Sequence, residues 1–174
     1  KPKTDAAFMF ALIHVLLHEH PRSRLDLPFL TGMTSSPYLV GPHGYYLRDP
    51  ESQKPLMWDT RRQAAVVFDA GDAEPLLEGR VPVIDAVEVG ADDERWVHHG
   101  VTAATAFTHL VEHFAQYGPE WATGICEVPA ATIRRIANEY LDHARVGETI
   151  EIDGQTLPLR PVAVTLGKTV NNGW

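Results

Sequence analysis

The sequence predicts an α/β fold with a mostly parallel sheet, and three features predict it. An apolar helix is expected near the amino end, two amphipathic helices in the second half, and a buried strand at Val162–Leu166, directly before Gly167. A buried parallel strand is typically a continuous apolar run, and its carboxyl end often opens into a ligand loop. We therefore expect helices packed on a sheet whose loops face a ligand.

The first helix is predicted to begin at Thr4 and to end before Pro21. Thr4 is a favourable N-cap, because its hydroxyl can accept a hydrogen bond from a first-turn amide, and Asp5 places negative charge at the positive end of the helix dipole. The following residues are apolar on nearly every face, which is typical of a helix covered on several sides. The most apolar stretch, Ala6–Leu17, is shorter than the roughly 20 residues that span a bilayer.

A small inserted β region is predicted between about residues 37 and 94. Strand candidates separated by turn-forming Gly, Pro, Asp and Ser residues are Tyr38–Val40, Tyr45–Leu47, Leu56–Trp58 and Ala64–Phe68. The acidic stretch Asp69–Glu94 is expected to be a meandering surface connection with short strands at best.

The second half of the sequence predicts two helices and a hairpin. Apolar residues recur at helical spacing from Ala103 to Phe114 and from Ile133 to Ala144, and Pro129 suits the first position of the second helix. Asp153-Gly154, between two β-rich segments, is a strong indication of a two-residue hairpin turn.

Composition excludes several classes of function. The net charge is -8, from 23 acidic and 15 basic residues, and the basic residues are scattered, so nucleic-acid binding is not expected. The single cysteine, Cys126, excludes a disulfide framework and any cysteine-rich zinc or iron-sulfur site made by this chain alone. Cys126 is expected to be a small buried hydrophobic residue.

Histidines offer a weak indication of a metal site. Two pairs, His14 with His18 and His109 with His113, stand four residues apart and would each share a helix face. Neither pair belongs to a His-Glu-x-x-His motif, and no carboxylate clearly completes a set of ligands. The other candidates are expected to be loop residues: His43, His98 and His99. A metalloenzyme that uses the paired histidines remains an alternative, and it predicts zinc or iron bound by this segment alone.

The loops at the two ends of the chain point more clearly to a ligand. Pro2–Asp5 precedes a helix, where free amides and the helix dipole favour an anion, and an Asp carboxylate can accept paired hydrogen bonds from a guanine edge. An ordinary N-cap with a first-turn Asp is the alternative. Gly167 permits close approach of the backbone to a ligand, or it simply ends a strand.

Three segments resemble the catalytic subunits of molybdopterin oxidoreductases of the dimethyl sulfoxide reductase family, in family order. Pro2–Ala7 is similar to the family pattern Pro-Gly-Thr-Asp-x-Ala, with Lys3 in place of the glycine. Pro119–Ala122 followed by Val128–Ala137 is similar to the family stretch "PEWA…GVPAETIRRIA", and Arg160–Val164 leading to Gly167 resembles the next core strand and its loop. The stretch from Pro37 to Glu94 matches only loosely.

The resemblance implies a cofactor and the residues that hold it. The cofactor would be molybdenum or tungsten bis(molybdopterin guanine dinucleotide), with Lys3, Thr4 and Asp5 at the guanine end of one dinucleotide. A second set would reach the pterin side: Gly167, Lys168, Val170 and Asn171. The family often has Gln and His where this chain has Val170 and Asn171. The metal ligand, the catalytic residues and the cysteines of a [4Fe–4S] cluster would lie outside this chain.

These observations combine into one prediction with an alternative. We expect residues 1–174 to form a single Rossmann-like, three-layer αβα domain with a mostly parallel sheet, an internal piece of a larger catalytic subunit that binds the cofactor and shapes a substrate funnel. The expected partners are the other domains of the same catalytic chain, a membrane anchor and an iron-sulfur electron-transfer subunit. The compartment is left open between cytoplasm and periplasm. The alternative is a non-catalytic α/β module that binds a nucleotide or a protein.

The inserted segment suggests a subgroup of the family. Tyr38–Asp59, with Gly44–Pro50 at its centre, looks most like members that act in anaerobic metabolism, such as phenylacetyl-CoA:acceptor oxidoreductase and the thiosulfate or polysulfide reductases. The resemblance implies a two-electron oxidation or reduction at the metal, with electrons passing through iron-sulfur clusters.

Overall fold

The computed structural model of the protein describes residues 1–164 of the 174. The helices are α1 (Asp5–His14), α2 (Leu27–Gly32), α3 (Ala106–Phe114), α4 (Pro119–Cys126) and α5 (Ala130–Ala144). The strands are β1 (Leu39–Val40), β2 (Leu47–Arg48), β3 (Leu56–Asp59), β4 (Ala64–Val67), β5 (Arg80–Val89), β6 (Arg95–Thr105), β7 (Thr149–Ile152) and β8 (Gln155–Pro158). A π-helical turn, Val15–Glu19, continues α1, and 3-10 turns lie at Arg22–Arg24 and Ala91–Asp93.

The chain divides into two compact units. The helical unit comprises Lys1–Asp26 and the described residues from His113 onward, and the β unit comprises Leu27–Glu112. The predicted insertion at about residues 37–94 falls inside the β unit. A single domain over residues 1–174 stays a prediction.

The β unit is built on a four-stranded antiparallel sheet with the order β1-β6-β5-β2. The long strands β5 and β6 pair along almost their whole length, for example Val83 with Val101 and Val87 with Val97. β3 and β4 form a separate hairpin. The core residues of this unit are all apolar and nearly inaccessible to solvent: Leu39, Leu47, Leu56, Trp58, Val81, Val83, Ala86 and Ala103.

The predicted Rossmann-like fold with a mostly parallel sheet is wrong. Every strand pair in residues 1–164 is antiparallel. β5 and β6 are joined only by residues 90–94, whereas a parallel pair needs a crossover of about a dozen residues or more. Residues 162–164 form no strand, and the remainder of the predicted Val162–Leu166 strand lies outside the described residues.

Two local predictions fail for related reasons. The stretch Asp69–Glu94 is not a meandering connection, because it contains β5, in which Pro82 and the acidic Asp85 and Glu88 obscure the strand pattern. Ala103 belongs to β6 and not to the following helix, which begins only at Ala106. In both places pairing between β5 and β6 prevails over the local pattern.

Predictions based on turns are confirmed, and the two helices predicted from periodicity correspond to α3, without Ala103, and to α5. The four short strand candidates correspond to β1–β4, and the hairpin around Asp153-Gly154 corresponds to β7 and β8. Asp153 and Gly154 have φ values of 50° and 76°, the left-handed conformations that a tight two-residue hairpin turn requires.

The helical unit is held by α1, α4 and α5 packing around small side chains. Ala11, Ala122, Cys126 and Ile133 form its buried cluster, with exposed fractions from 0% to 2%. Alanine and cysteine at these positions allow helices to approach closely, since little side-chain volume separates the backbones. Cys126 is therefore a small buried hydrophobic residue, as predicted.

Arg134 of α5 links three segments of the helical unit. Its guanidinium donates to both carboxylate oxygens of Glu19, the nearest at 2.8 Å, and to those of Glu120 at 2.6 and 3.0 Å. The hydrogen bond from Arg134 holds the pKa of Glu120 below its usual range. Planar, bidentate pairing of this kind orients helices more strongly than a single point contact.

Asp59, at the end of β3, is a fully buried carboxylate whose oxygens accept several hydrogen bonds. It accepts hydrogen bonds from the amides of Arg61 and Arg62 at 2.9 and 3.2 Å, and from the Arg62 guanidinium at 3.0 Å. Burial by itself would raise the pKa of Asp59, but these amides, the Glu74 amide and the Arg62 charge hold it below the usual value.

None of the helices within residues 1–164 is both long enough and apolar enough to cross a membrane.

We predict that Ile133→Ala lowers the free energy of unfolding of the helical unit by about 2–5 kcal/mol, because a fully buried side chain leaves a cavity. Ile125→Ala is the matched control, since Ile125 is 37% exposed on α4, and its effect should stay within about 0.5 kcal/mol. Denaturant unfolding measures both. Equal effects of the two substitutions would contradict this packing.

Asp59→Asn should destabilise the β unit at neutral pH, and the difference from the wild type should shrink in acid. A folded-state pKa below the unfolded value of about 3.9 stabilises the protein above that pH, and this stabilisation is lost as pH falls through the folded pKa. Thermal melts from pH 6 to pH 2 test this. Asp92→Asn, at an exposed position, is the control, and a constant difference across this range would refute the role of Asp59.

Candidate functional site

The first turn of α1 lines a cleft of about 320 Å³ in the helical unit. The cleft is bounded by residues of the amino-terminal loop, of α1, of α4, of the segment between α4 and α5, and of α5: Lys1, Thr4, Asp5, Phe8, Cys126, Val128 and Ile136. This volume is at the low end for ligand pockets, which range from about 300 to 1,000 Å³.

The loop before α1 has the backbone shape that glycine favours. Lys3 adopts φ 64°, in the left-handed region that non-glycine residues occupy at a cost. Lys3 stands where the pattern of the resembled family has glycine. Lys3 therefore keeps a glycine-like turn while adding a side chain with a positive charge.

Thr4 is the N-cap of α1, but its hydroxyl does not cap the helix. The hydroxyl donates to the carbonyl oxygen of Lys1 at 2.6 Å, so no side chain caps the first-turn amides. This corrects the predicted N-cap hydrogen bond. Uncapped amides at the positive end of a helix are hydrogen-bond donors for a ligand.

Asp5 presents an exposed carboxylate at the same helix end. Within residues 1–164 the carboxylate has no hydrogen-bond or ion-pair partner, so both of its oxygens can accept hydrogen bonds from a ligand. The structure thus brings together Lys3, Thr4 and Asp5. The second predicted set, Gly167, Lys168, Val170 and Asn171, lies outside the described residues.

The stretches of α4 and α5 that carry the family resemblance have structural roles. Pro119 begins α4, where its missing amide hydrogen is not needed, and Ala122 and Ile133 are buried against α1. Glu120 and Arg134 form an ion pair between the two halves of the motif. The motif therefore positions α1 and, with it, the first-turn cleft.

The histidine pairs do not form metal sites with a third ligand among residues 1–164. His14 stacks on His18 with ring centroids 4.8 Å apart, and His14 Nδ1 lies 2.8 Å from the Phe114 carbonyl oxygen. The His113 ring packs against Phe10 and Tyr117.

The β unit contains a cluster of potential metal ligands that the sequence did not predict: His43, Glu88 and His98. In the described part of the chain these are the side chains that come together as a group of three potential metal ligands, with their ligand atoms all within 4.8 Å of one another. The prediction that His98 and His99 are loop residues is wrong, because both lie in β6. Because β5 and β6 were not predicted, no sequence spacing indicated that these three residues would meet.

Comparison with known proteins connects the chain to an oxidoreductase. No protein-family model matches the sequence. The chain is similar to a sulfite dehydrogenase subunit of Allochromatium vinosum, with 30% identity over 155 residues that cover 80% of this chain and 14% of that protein. The chain thus spans about one seventh of the length of this curated relative, which its name describes as part of a dehydrogenase.

We predict that Gly41→Ala destabilises the β unit by about 1–3 kcal/mol. A methyl group at this position would collide with the carboxylate of the fully buried Glu88 and would lie 2.7 Å from Leu47 Cδ2. Gly32→Ala is the matched control, since its methyl group would meet no atom within 4 Å. If the two variants had the same denaturation midpoint, the close packing around Glu88 would be disproved.

Proposed function

We propose that this chain is part of the catalytic subunit of a molybdenum or tungsten oxidoreductase of the dimethyl sulfoxide reductase family. The observation that carries the proposal is the first turn of α1. Thr4 and the unpartnered carboxylate of Asp5 line one cleft there, next to uncapped amides and the glycine-like backbone of Lys3. The similarity to a sulfite dehydrogenase subunit supports a role in a redox enzyme.

The donors and acceptors at this helix end fit the guanine end of molybdopterin guanine dinucleotide. A guanine edge offers two adjacent N–H donors, which the carboxylate of Asp5 can accept as a pair. The amides of the first turn and the Lys3 ammonium supply the donors that an oxygen-rich nucleotide needs. Phe8, Val128 and Ile136 add an apolar wall for the flat base.

Each segment of the chain then has a defined task. Lys3, Thr4 and Asp5 bind and orient the nucleotide end, and α4 and α5 hold the first turn in place through Ile133 and Arg134. The cofactor, when bound, supplies two-electron redox chemistry at its metal. We assign the iron-sulfur cluster, the metal ligand and the remaining pterin contacts to other parts of the enzyme, with an iron-sulfur partner subunit receiving or delivering electrons.

The first substrates to test are inorganic sulfur oxyanions, because the relative is named for sulfite oxidation. Sulfite and thiosulfate, assayed with an artificial electron acceptor or donor, cover both directions of a two-electron reaction. If neither anion supports activity, sulfite and thiosulfate are excluded as substrates, but the proposed cofactor is not.

Elemental and nucleotide analysis of the purified full-length enzyme tests the proposal directly. We expect molybdenum or tungsten together with iron, and about two guanine nucleotides released per molybdenum or tungsten atom, as a bis(dinucleotide) cofactor requires. An enzyme without these metals and without guanine nucleotide would refute the proposal and favour a non-catalytic binding module.

Asp5→Asn in the full-length enzyme should lower affinity for the guanine dinucleotide about ten- to hundredfold, since a charge-assisted pair of hydrogen bonds is lost. Retained guanine nucleotide and metal content after dialysis measure the change. Glu139→Gln is the control, an exposed carboxylate whose partner is Arg135 on the surface of α5. Full occupancy in a folded Asp5→Asn enzyme would contradict the guanine contact.

A further inference from the structure

The strands β5 and β6, together with the loop between β1 and β2, converge on one polar cluster. Glu88 pairs in register with Trp96, and Ala86 pairs with His98, so Glu88 and His98 are diagonal neighbours on one face of the sheet. His43 lies in the loop between β1 and β2. None of these residues takes part in the proposed cofactor site.

Glu88 is a buried carboxylate with an unusual set of partners. Its Oε1 accepts hydrogen bonds from the amides of His43 and Tyr45 at 3.0 and 2.9 Å, while Oε2 lies 3.0 Å from His98 Nε2. Among residues 1–164, His98 is the only basic side chain within 4.0 Å of this carboxylate. The other fully buried carboxylate of that range, Asp59, pairs with an arginine, whereas no lysine or arginine of residues 1–164 forms an ion pair with Glu88.

His43 completes the cluster from the solvent side. Its ring stacks on Trp96 with centroids 4.1 Å apart and an interplanar angle of 11°. Within the described part of the chain the ring nitrogens form no hydrogen bond, and the ring centroid is 6.0 Å from that of His98. Stacking thus keeps the plane of the imidazole against Trp96, while its nitrogens remain available.

We propose that His43, Glu88 and His98 form a binding site for one divalent transition-metal ion, with Zn²⁺ as the best match. Two imidazole nitrogens and one carboxylate oxygen are the ligand set of open zinc sites. The same set suits Fe²⁺, but it is poor for Mg²⁺ and Ca²⁺, which prefer oxygen ligands.

The distances are close to those that such an ion needs. Bonds of about 2.0–2.1 Å in tetrahedral geometry place neighbouring ligand atoms about 3.3 Å apart. Glu88 Oε2 and His98 Nε2, at 3.0 Å, are already near this spacing. The exposed His43 ring can slide over the face of Trp96 to bring all three ligand atoms, now within 4.8 Å of one another, around the ion.

The surroundings also favour a metal ligand role for Glu88. The two backbone amides on Oε1 fix the carboxylate and direct Oε2 toward the histidines, as hydrogen bonds to ligating carboxylates do in metal sites. A bound cation would supply the positive charge that the protein does not place beside Glu88. The exposed side of His43 leaves a fourth position for water or another small ligand.

Titration of the full chain with zinc chloride, followed by calorimetry, tests the proposal. We expect one ion per chain, and tetrahedral Co²⁺ should show visible absorption bands when it replaces Zn²⁺. His43→Gln and His98→Gln should each weaken zinc binding by at least about ten- to hundredfold. Loss of a residue that only supports a metal ligand already costs about this much affinity, and these variants remove a ligand itself. Circular dichroism verifies that each variant folds, and His43 is exposed, so its substitution is not expected to disturb the core.

Two control variants separate this site from other histidines. His99→Gln alters the neighbouring exposed histidine, which bonds to Asp85, and His18→Gln alters the stacked pair in the helical unit. Neither should change zinc affinity. Absence of one-to-one binding, wild-type affinity in folded His43→Gln and His98→Gln variants, or loss of binding in His18→Gln would each overturn the proposal. Molybdenum or tungsten content is measured separately, so failure of one proposal does not affect the other.

Discussion

The antiparallel pairing of β5 with β6 is the interaction on which the β unit depends. The two strands supply the backbone hydrogen bonds to which β1 and β2 attach at either side. The pairing also places Glu88 diagonally opposite His98 and turns its carboxylate toward the loop that contains His43. A buried carboxylate that binds two loop amides fixes the loop far more effectively than apolar contact alone, because leaving any of these groups unpaired would be costly.

In the helical unit the corresponding constraint is the close packing of α1 on α4 and α5. Small side chains at Ala11 and Ala122 let the helices approach, and Arg134 joins Glu19 and Glu120 at the surface. The stretch that most resembles molybdopterin oxidoreductases is thus mainly structural. Its contribution to the proposed function is indirect, since it holds the first turn of α1 and leaves Asp5 exposed beside the cleft.

The two proposed sites, one in each unit, differ in their chemistry. The first turn of α1 offers backbone amides, an ammonium and a free carboxylate, which suit the hydrogen-bonding pattern of a nucleotide base. The cluster of His43, Glu88 and His98 offers imidazoles and a buried carboxylate, which suit a transition-metal ion. Each proposed site depends on one carboxylate. Asp5 can bind a ligand because it is exposed, whereas Glu88 is held in one orientation because it is buried.

The sequence by itself determined the elements that depend on neighbouring residues. The helix after Thr4, the hairpin at Asp153-Gly154 and the buried Cys126 follow from a run of apolar residues that ends before Pro21, from turn conformation and from side-chain size, which act over a few positions. The tertiary structure alone decided the sheet direction and the histidine–glutamate cluster. Strand direction depends on partners distant in sequence, and the short connection between β5 and β6 requires antiparallel pairing. Glu88 and His98 meet only through that pairing, so no spacing in the sequence could have indicated their contact.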